Sequence, residues 1–359
     1  MMKVGVNART FTVDEPGGAV QTSIKHTRGL INRADTEIVL FGDGSLDPLF
    51  PEATIVSTGY PVSSQAYGLV WERVVLPTLA DWSNIDVLYC PNGNAPVTRP
   101  SCPVVMCIHD VNALKGWSNG LHQLYRRLAV PRGAEVASTI TTVSKFSKSE
   151  IIDNLDVSSS KVDVVYNGIN GIFFSSNGEQ ISELPTKYIL FVGSMNPRKN
   201  IESVVKSYAK IKRQTDFPHE LVIIGPENKN IFNSVDIENR DDILTPGFVT
   251  ERELKYAYEN ADVFVFPSLY EGFGLPPLEA LACGTPVVAS ETTSLGELLQ
   301  EGCIQVDPND VQDITNAIIR ILEDEQLATN LANQGRLYSR NFTWGKATEQ
   351  LWETLSKTA

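Results

Sequence analysis

No apolar run in the 359 residues approaches the roughly 18 that cross a bilayer, so a membrane span is excluded from the reading. The opening Met1-Met2-Lys3-Val4-Gly5-Val6 is interrupted at once by Asn7 and Arg9, too short for the core of a secretion signal. Cysteine is scarce and odd in number: Cys90, Cys102, Cys107, Cys283 and Cys303. These five lack paired metal spacing and suit no disulfide framework, which makes a reducing cytoplasm the expected compartment. Positive charge is also short, 30 Lys and Arg against 43 Asp and Glu, for a net charge of -13. Wholesale nucleic-acid binding, which works by neutralising phosphates, needs the opposite balance. Internal repeats and low-complexity tracts are missing, and no G-x-G-x-x-G loop follows the first strand-like run, which disfavours a dinucleotide-dependent oxidoreductase.

With 42% hydrophobic residues, a chain of this length can bury ample core and is expected to hold about two domains. Its acidity is uneven: 14 basic against 16 acidic residues up to position 170, and 16 against 27 beyond. Arg126, Arg127 and Arg132 cluster in a helix-like segment with Leu121, Leu124, Tyr125 and Leu128. They form either a solvated face or a contact for anionic lipid or a phosphorylated acceptor. Short continuous apolar runs alternate with helix-length segments: Lys3–Asn7, Glu37–Phe41, Val87–Cys90, Val104–Ile108, Thr139–Val143 and Val162–Tyr166. The pattern restarts with Tyr188–Val192, Leu221–Ile224, Asp242–Leu244, Val263–Phe266 and Pro286–Ala289. Runs of this kind suit parallel strands covered on both faces, so two doubly wound α/β domains in tandem are expected. The polar stretch 167–183 reads as the linker, giving domains at 1–172 and 173–341. The helical apolar spacing from Trp344 to Leu355 predicts a closing helix within 342–359.

The chemistry concentrates in Ser268-Leu-Tyr-Glu-Gly-Phe-Gly-Leu-Pro-Pro-Leu-Glu-Ala280, between a strand-like and a helix-like run. Gly272 and Gly274 permit a tight turn, and Pro276 is tolerated in a first helical turn. The free N–H groups of a helix N-terminus attract an anion such as a diphosphate. Glu271 and Glu279 would repel that anion unless aimed at neutral hydroxyls, of a sugar and a ribose. The bland alternative is a turn with two surface glutamates. In Phe191-Val-Gly-Ser-Met-Asn-Pro-Arg-Lys-Asn200, a strand ends at Gly193 and two cations follow, Arg198 with a planar fork of donors and Lys199 with a compact charge. Gly225 and Gly247-Phe248-Val249 close further strand-like runs. In the first half, Glu15-Pro-Gly17-Gly18-Ala19 precedes a helix expected near Gln21, and can present backbone donors to an anion or be a plain turn. His109 and Asp110 follow a strand at its carboxyl end, where such sheets bind ligands.

The string Glu271 to Glu279, with Gly-Phe-Gly-Leu-Pro between, resembles the E-x7-E signature of the large retaining glycosyltransferase group that includes glycogen-synthase-like and mannosyltransferase members. That resemblance implies a GT-B fold, two Rossmann-like domains facing each other across a cleft that closes to exclude water. It implies that Glu271 faces the donor sugar, the backbone from Gly272 through Phe273, Gly274 and Leu275 meets sugar and diphosphate, and Glu279 binds the ribose. Arg198 and Lys199 would stabilise the departing diphosphate, His109 would lie near the sugar hydroxyls, and Gly17 and Gly18 beside the reacting phosphate. Gly193, Gly225, Phe248 and Val249 would approach donor and base. Thr142–Ser147 and Tyr166–Gly168 match further landmarks, and the closing helix would cross back to the first domain.

The implied chemistry is retaining hexosyl transfer without cofactor or essential metal, from a nucleotide sugar to a glycan or lipid-linked acceptor. GDP-mannose is the first expectation for the donor and a UDP-hexose the second. A peripheral contact with the inner membrane face is compatible with such an acceptor. A nucleotide-sugar epimerase of the same architecture is the other enzyme class the motifs allow.

Overall fold

A computed structural model describes residues 1–11, 18–57, 68, 70–112, 115, 121–175, 178–181, 184–226 and 242–359, with backbone only for 121–126 and 128. The loop 15–17 with Gly17, and the side chains of Leu121, Leu124, Tyr125, Arg126 and Leu128, therefore lie outside the described residues. The chain divides into two units, one of Met1–Gly168 with Trp344–Ala359 and one of Ile169–Thr343.

Among the described residues, the first unit carries seven strands: β1 Met2–Asn7, β2 Thr36–Phe41, β3 Thr54–Val56, β4 Val87–Cys90, β5 Val104–Cys107, β6 Thr139–Thr142 and β7 Val162–Val164. They pair in the order β3-β2-β1-β4-β5-β6-β7, every pair parallel. Val87 to Cys90 and Val104 to Cys107 are buried along their whole length, as strands covered on both faces require. The order reverses between β1 and β4, so the crevice of this sheet opens past Asn7 and Cys90. The first helix starts at Gly18, earlier than the expected Gln21, and runs to Ile31. The last helix, Trp344–Thr358, packs on it and buries Ala347, Leu351 and Leu355.

The second unit repeats the plan with β8 Tyr188–Val192, β9 Glu220–Ile224, β10 Ile243–Gly247, β11 Val263–Phe266, β12 Val287–Ser290 and β13 Cys303–Val306. Their order is β10-β9-β8-β11-β12-β13, again all parallel. Here the order reverses between β8 and β11, so this crevice opens past Val192 and Phe266.

Two strands escaped the sequence reading. β3 spans three residues at one edge, and β13 at the other is interrupted by exposed Gln305, so neither forms a continuous buried run of the length seen in the central strands. The unit boundary falls at Gly168/Ile169 rather than near 172. The turn Gly171–Phe174 belongs to the second unit because Phe173 is buried there, edge-on to Tyr258 at 5.9 Å.

Candidate active site

The crevice of the second unit gathers the charged residues of both motifs. Past β8, Gly193 leads to the short turn Pro197–Lys199, which Asn196 caps by accepting a hydrogen bond from the Arg198 N–H at 3.1 Å. Past β11, the chain runs through Ser268 to Glu271 and enters the helix Leu275–Cys283. The two stretches are fastened by the Leu269 N–H donating to the Arg198 carbonyl at 2.8 Å. The Arg198 guanidinium donates to the Tyr270 carbonyl at 3.1 Å. At the centre, Arg198 Nη1 and Lys199 Nζ both donate to Glu271 Oε1, at 3.0 and 2.6 Å.

This is a buried ion triad, with Glu271 and Lys199 only 7% and 8% exposed. Burial pushes the Glu271 carboxyl up, but Lys199 and Arg198 outweigh it and hold the group below the ordinary range. Burial lowers Lys199, and the repulsion of Arg198 adds to that against the pull of Glu271. Both groups are thus lowered, which favours the charge on Glu271 and opposes it on Lys199, because burial disfavours the ammonium and Arg198 attracts the carboxylate while repelling the ammonium. The Lys199 ammonium also lies 4.7 Å from the centre of the Phe266 ring, a cation–π contact that helps hold it.

The remaining residues predicted for this half lie at the strand ends and in the helix-entry loop of the same unit. Gly225 closes β9 at a φ of +154, where a Cβ would come 2.1 Å from the Gly193 carbonyl oxygen, so glycine lets the two strand ends meet. The Gly225 N–H donates to the Gly247 carbonyl at 3.1 Å, which adds the end of β10 to the rim. Phe248 is exposed there and Val249 half-buried. Gly274, at a φ of +102, turns the chain into the helix beginning at Leu275, and Phe273 is buried beside Phe342. Glu279 accepts a hydrogen bond from the Tyr258 hydroxyl at 3.3 Å. Burial, reinforced by Glu251, raises its carboxyl to about 7 against the opposing Tyr258 bond.

Gly18 and His109 lie in the first unit. Gly18 opens the first helix. His109 follows β5, with Nε2 2.9 Å from the Pro91 carbonyl oxygen and 3.8 Å from Cys107 Sγ. Burial opposes its protonation, but Cys107 and the Pro91 carbonyl prevail and raise the imidazole. The Thr142–Ser147 segment supports it: Thr142 Oγ1 donates to the Ile108 carbonyl at 2.7 Å and Ser147 Oγ to the His109 carbonyl at 3.2 Å.

Three features were not read from the sequence. Asn200, at a φ of +57, donates through Nδ2 to the Pro267 and Pro308 carbonyls at 3.0 and 2.7 Å, bracing the turn that carries both cations. Its only sequence signal was its place after Arg-Lys. Ser294 binds two carbonyls of the glutamate loop, with no local signal at all. Past β1, Arg9 pairs with buried Glu72 at 3.1 Å, and burial brings the Glu72 carboxyl to about 7 despite Arg9. Arg9 could have been flagged by its position at a strand's carboxyl end. Among the described residues, no group of three His, Cys, Asp or Glu is placed to hold a metal ion. None of the described helices is long and apolar enough to cross a membrane.

Comparison with known proteins matches both halves. Residues 16–170 match the model of Glycosyltransferase Family 4, and residues 173–338 that of Glycosyl transferases group 1. O-antigen chain mannosyltransferase B of Escherichia coli is 31% identical over 237 residues, covering 63% of this chain and 62% of that protein. The serotype-specific mannosyltransferase WbdA of the same organism is matched over only 28% of its length. O-antigen chain mannosyltransferase RfbU of Salmonella typhimurium is 27% identical over 318 residues, 85% of this chain and 87% of its own. Among solved structures, Anabaena HepE with UDP and glucose superposes with a TM-score of 0.73 at 20% identity, over 99% of this chain and 100% of that one. The lipopolysaccharide-biosynthesis glycosyltransferase WaaG gives a TM-score of 0.72 at 13% identity, over 99% and 100%. With two parallel Rossmann-like units and each half matched in turn, the chain belongs to the GT-B glycosyltransferases, family 4 in its first half and group 1 in its second.

Proposed function

We propose that this chain transfers a hexose with retention of configuration from a nucleotide sugar to a glycan or lipid-linked acceptor, without an essential metal. The observation that carries the reading is the Arg198–Glu271–Lys199 triad at the strand-order reversal of the second sheet, beside the helix start at Leu275. A leaving diphosphate gathers negative charge as the C1–O bond breaks. Two cations and a helix N-terminus fixed in place before the reaction stabilise that charge without reorganising. In this role Arg198 and Lys199 stay held by Glu271 Oε1 and present their remaining N–H groups to the phosphates, and Glu271 orients the sugar. The acceptor hydroxyl attacks C1 on the face the diphosphate leaves, and a phosphate oxygen takes its proton. Glu279 accepts hydrogen bonds from the ribose.

Mannose from GDP-mannose is the donor group favoured by the mannosyltransferase relatives. A UDP-hexose is the second reading, favoured by the likeness to a structure that holds UDP and glucose. Thermal-shift titration with GDP-, UDP-, ADP- and dTDP-sugars separates the two, because a ligand of the folded state raises apparent stability by mass action. The largest shift is expected with GDP-mannose. Turnover is expected to survive EDTA, and product NMR to show the donor's anomeric configuration. Stabilisation by none of these sugars sinks the reading. Conversion of the sugar in the absence of acceptor would turn it into an epimerase.

A further inference from the structure

We infer that Ser294 is a positioning residue that shapes the glutamate loop into a two-amide cradle for the distal phosphate of the donor. The inference rests on the donor reading above and adds to it the part that aims the backbone.

Ser294 is fully buried at the start of the short helix Thr293–Leu298, and its hydroxyl lies 2.9 Å from the Glu271 carbonyl and 2.9 Å from the Phe273 carbonyl. Its hydroxyl hydrogen is thus shared between two alternate carbonyls of the loop. The described chain contains no cis peptide. In a trans peptide the carbonyl of one residue and the N–H of the next point in opposite directions. Fixing the carbonyls of Glu271 and Phe273 on Ser294 therefore directs the N–H groups of Gly272 and Gly274 to the opposite side of the loop. Two alternate N–H groups turned to one side of a loop present paired donors to an anion.

The support under this loop is rigid. Gly274 has a φ of +102, and a Cβ there would lie 2.4 Å from Leu295 Cδ2, so Leu295 packs directly against the glycine that turns the chain. Thr293 has a φ of +59, a rare conformation for a β-branched residue. A Cβ on Gly296 would come 2.0 Å from the Glu291 carbonyl oxygen, so the segment closes on itself around Thr293. Backbone strain of this kind persists where the surroundings over-determine it, and here it sets Ser294 beneath both carbonyls.

The test compares wild type and Ser294→Ala by calorimetric titration with GDP and UDP, each against its nucleoside. If Ser294 aims amides at the distal phosphate, the variant binds the preferred diphosphate about tenfold more weakly and the nucleoside unchanged, as loss of charge-assisted hydrogen bonds implies. Equal weakening of diphosphate and nucleoside identifies a merely structural serine and overturns the inference, as does unchanged binding of both. If wild type itself binds neither diphosphate, the donor reading fails and this inference with it. Should Ser294→Ala not fold, the amide resonance of Gly274 in wild type decides. It is expected to shift with the diphosphate and stay with the nucleoside, and no shift with the diphosphate overturns the inference.

Discussion

Glu271 serves as counter-ion before any donor arrives. Its single oxygen Oε1 holds two cations that would otherwise repel each other in a buried site. Lys199→Ala is expected to lower kcat by about 10²–10³, the usual cost of removing one preorganised donor from a developing anion. Nucleotide-sugar turnover assays on the folded variant check this, and activity within threefold of wild type would remove Lys199 from the mechanism. Glu279 gives a pH dependence. Its carboxyl titrates at about 7 in the free protein, so below that pH a ligand needing the carboxylate must first expel a proton. Nucleotide affinity should rise about tenfold per pH unit up to 7 and level off above it, whereas Glu279→Gln should bind weakly and without that slope. Calorimetry between pH 5.5 and 8.5 reads both. The two glutamates were legible as one motif, with glycines and a helix start in the same stretch, and the two cations as another, past a strand that ends at Gly193. Their mutual ion pairs were not, because Lys199 and Glu271 meet across 72 positions.

Elements with an uninterrupted apolar run declared themselves; those at the margins did not. β8, β9 and β11 are almost wholly buried and read as strands from composition. β3 and β13 owe their pairing to a neighbour rather than to their own residues, so local sequence under-reports them. The segment Thr292–Leu298 is the plainest case of tertiary override, since nothing in Thr-Thr-Ser predicts a left-handed residue. Thr293→Gly removes a strained Cβ and a buried hydroxyl without a hydrogen-bond partner, while adding some chain entropy to the unfolded state. A net gain of about 1 kcal/mol is expected, seen as a Tm rise of roughly 2–4 °C with nucleotide affinity preserved. A lower Tm would show that the threonine side chain stabilises more than its backbone strains.

At the scale of the molecule, the last helix belongs to the unit that holds the first. His26 on the first helix is 2% exposed, stands edge-on to Trp344 at 5.3 Å, and has no hydrogen-bond partner for Nδ1. Burial, with nearby His109, lowers its pKa from 6.5 to about 3 against a weak opposing contact with Asn167. The folded unit therefore resists a proton that the unfolded chain accepts. Stability is full above pH 6.5 and falls as pH drops toward 3, by on the order of 5 kcal/mol in all. Calorimetric scans from pH 7.5 to 5 should show the first unit's transition falling. His26→Gln should flatten that fall, and an unchanged slope would assign it to other groups.

The second unit leaves and rejoins the first at adjoining points: Ile169 and Thr343 are paired side by side, and the Ile169 N–H donates to the Phe342 carbonyl at 2.9 Å. In topological language it is an insertion, a closed module hung from one doorway in the host chain. Termini that meet are the condition under which an inserted domain can be excised, circularly permuted or exchanged. The residues read as choosing the donor are thus carried on one transferable cassette, and grafting a relative's module between positions 168 and 344 would change the sugar supplied while leaving the host sheet's own sequence intact.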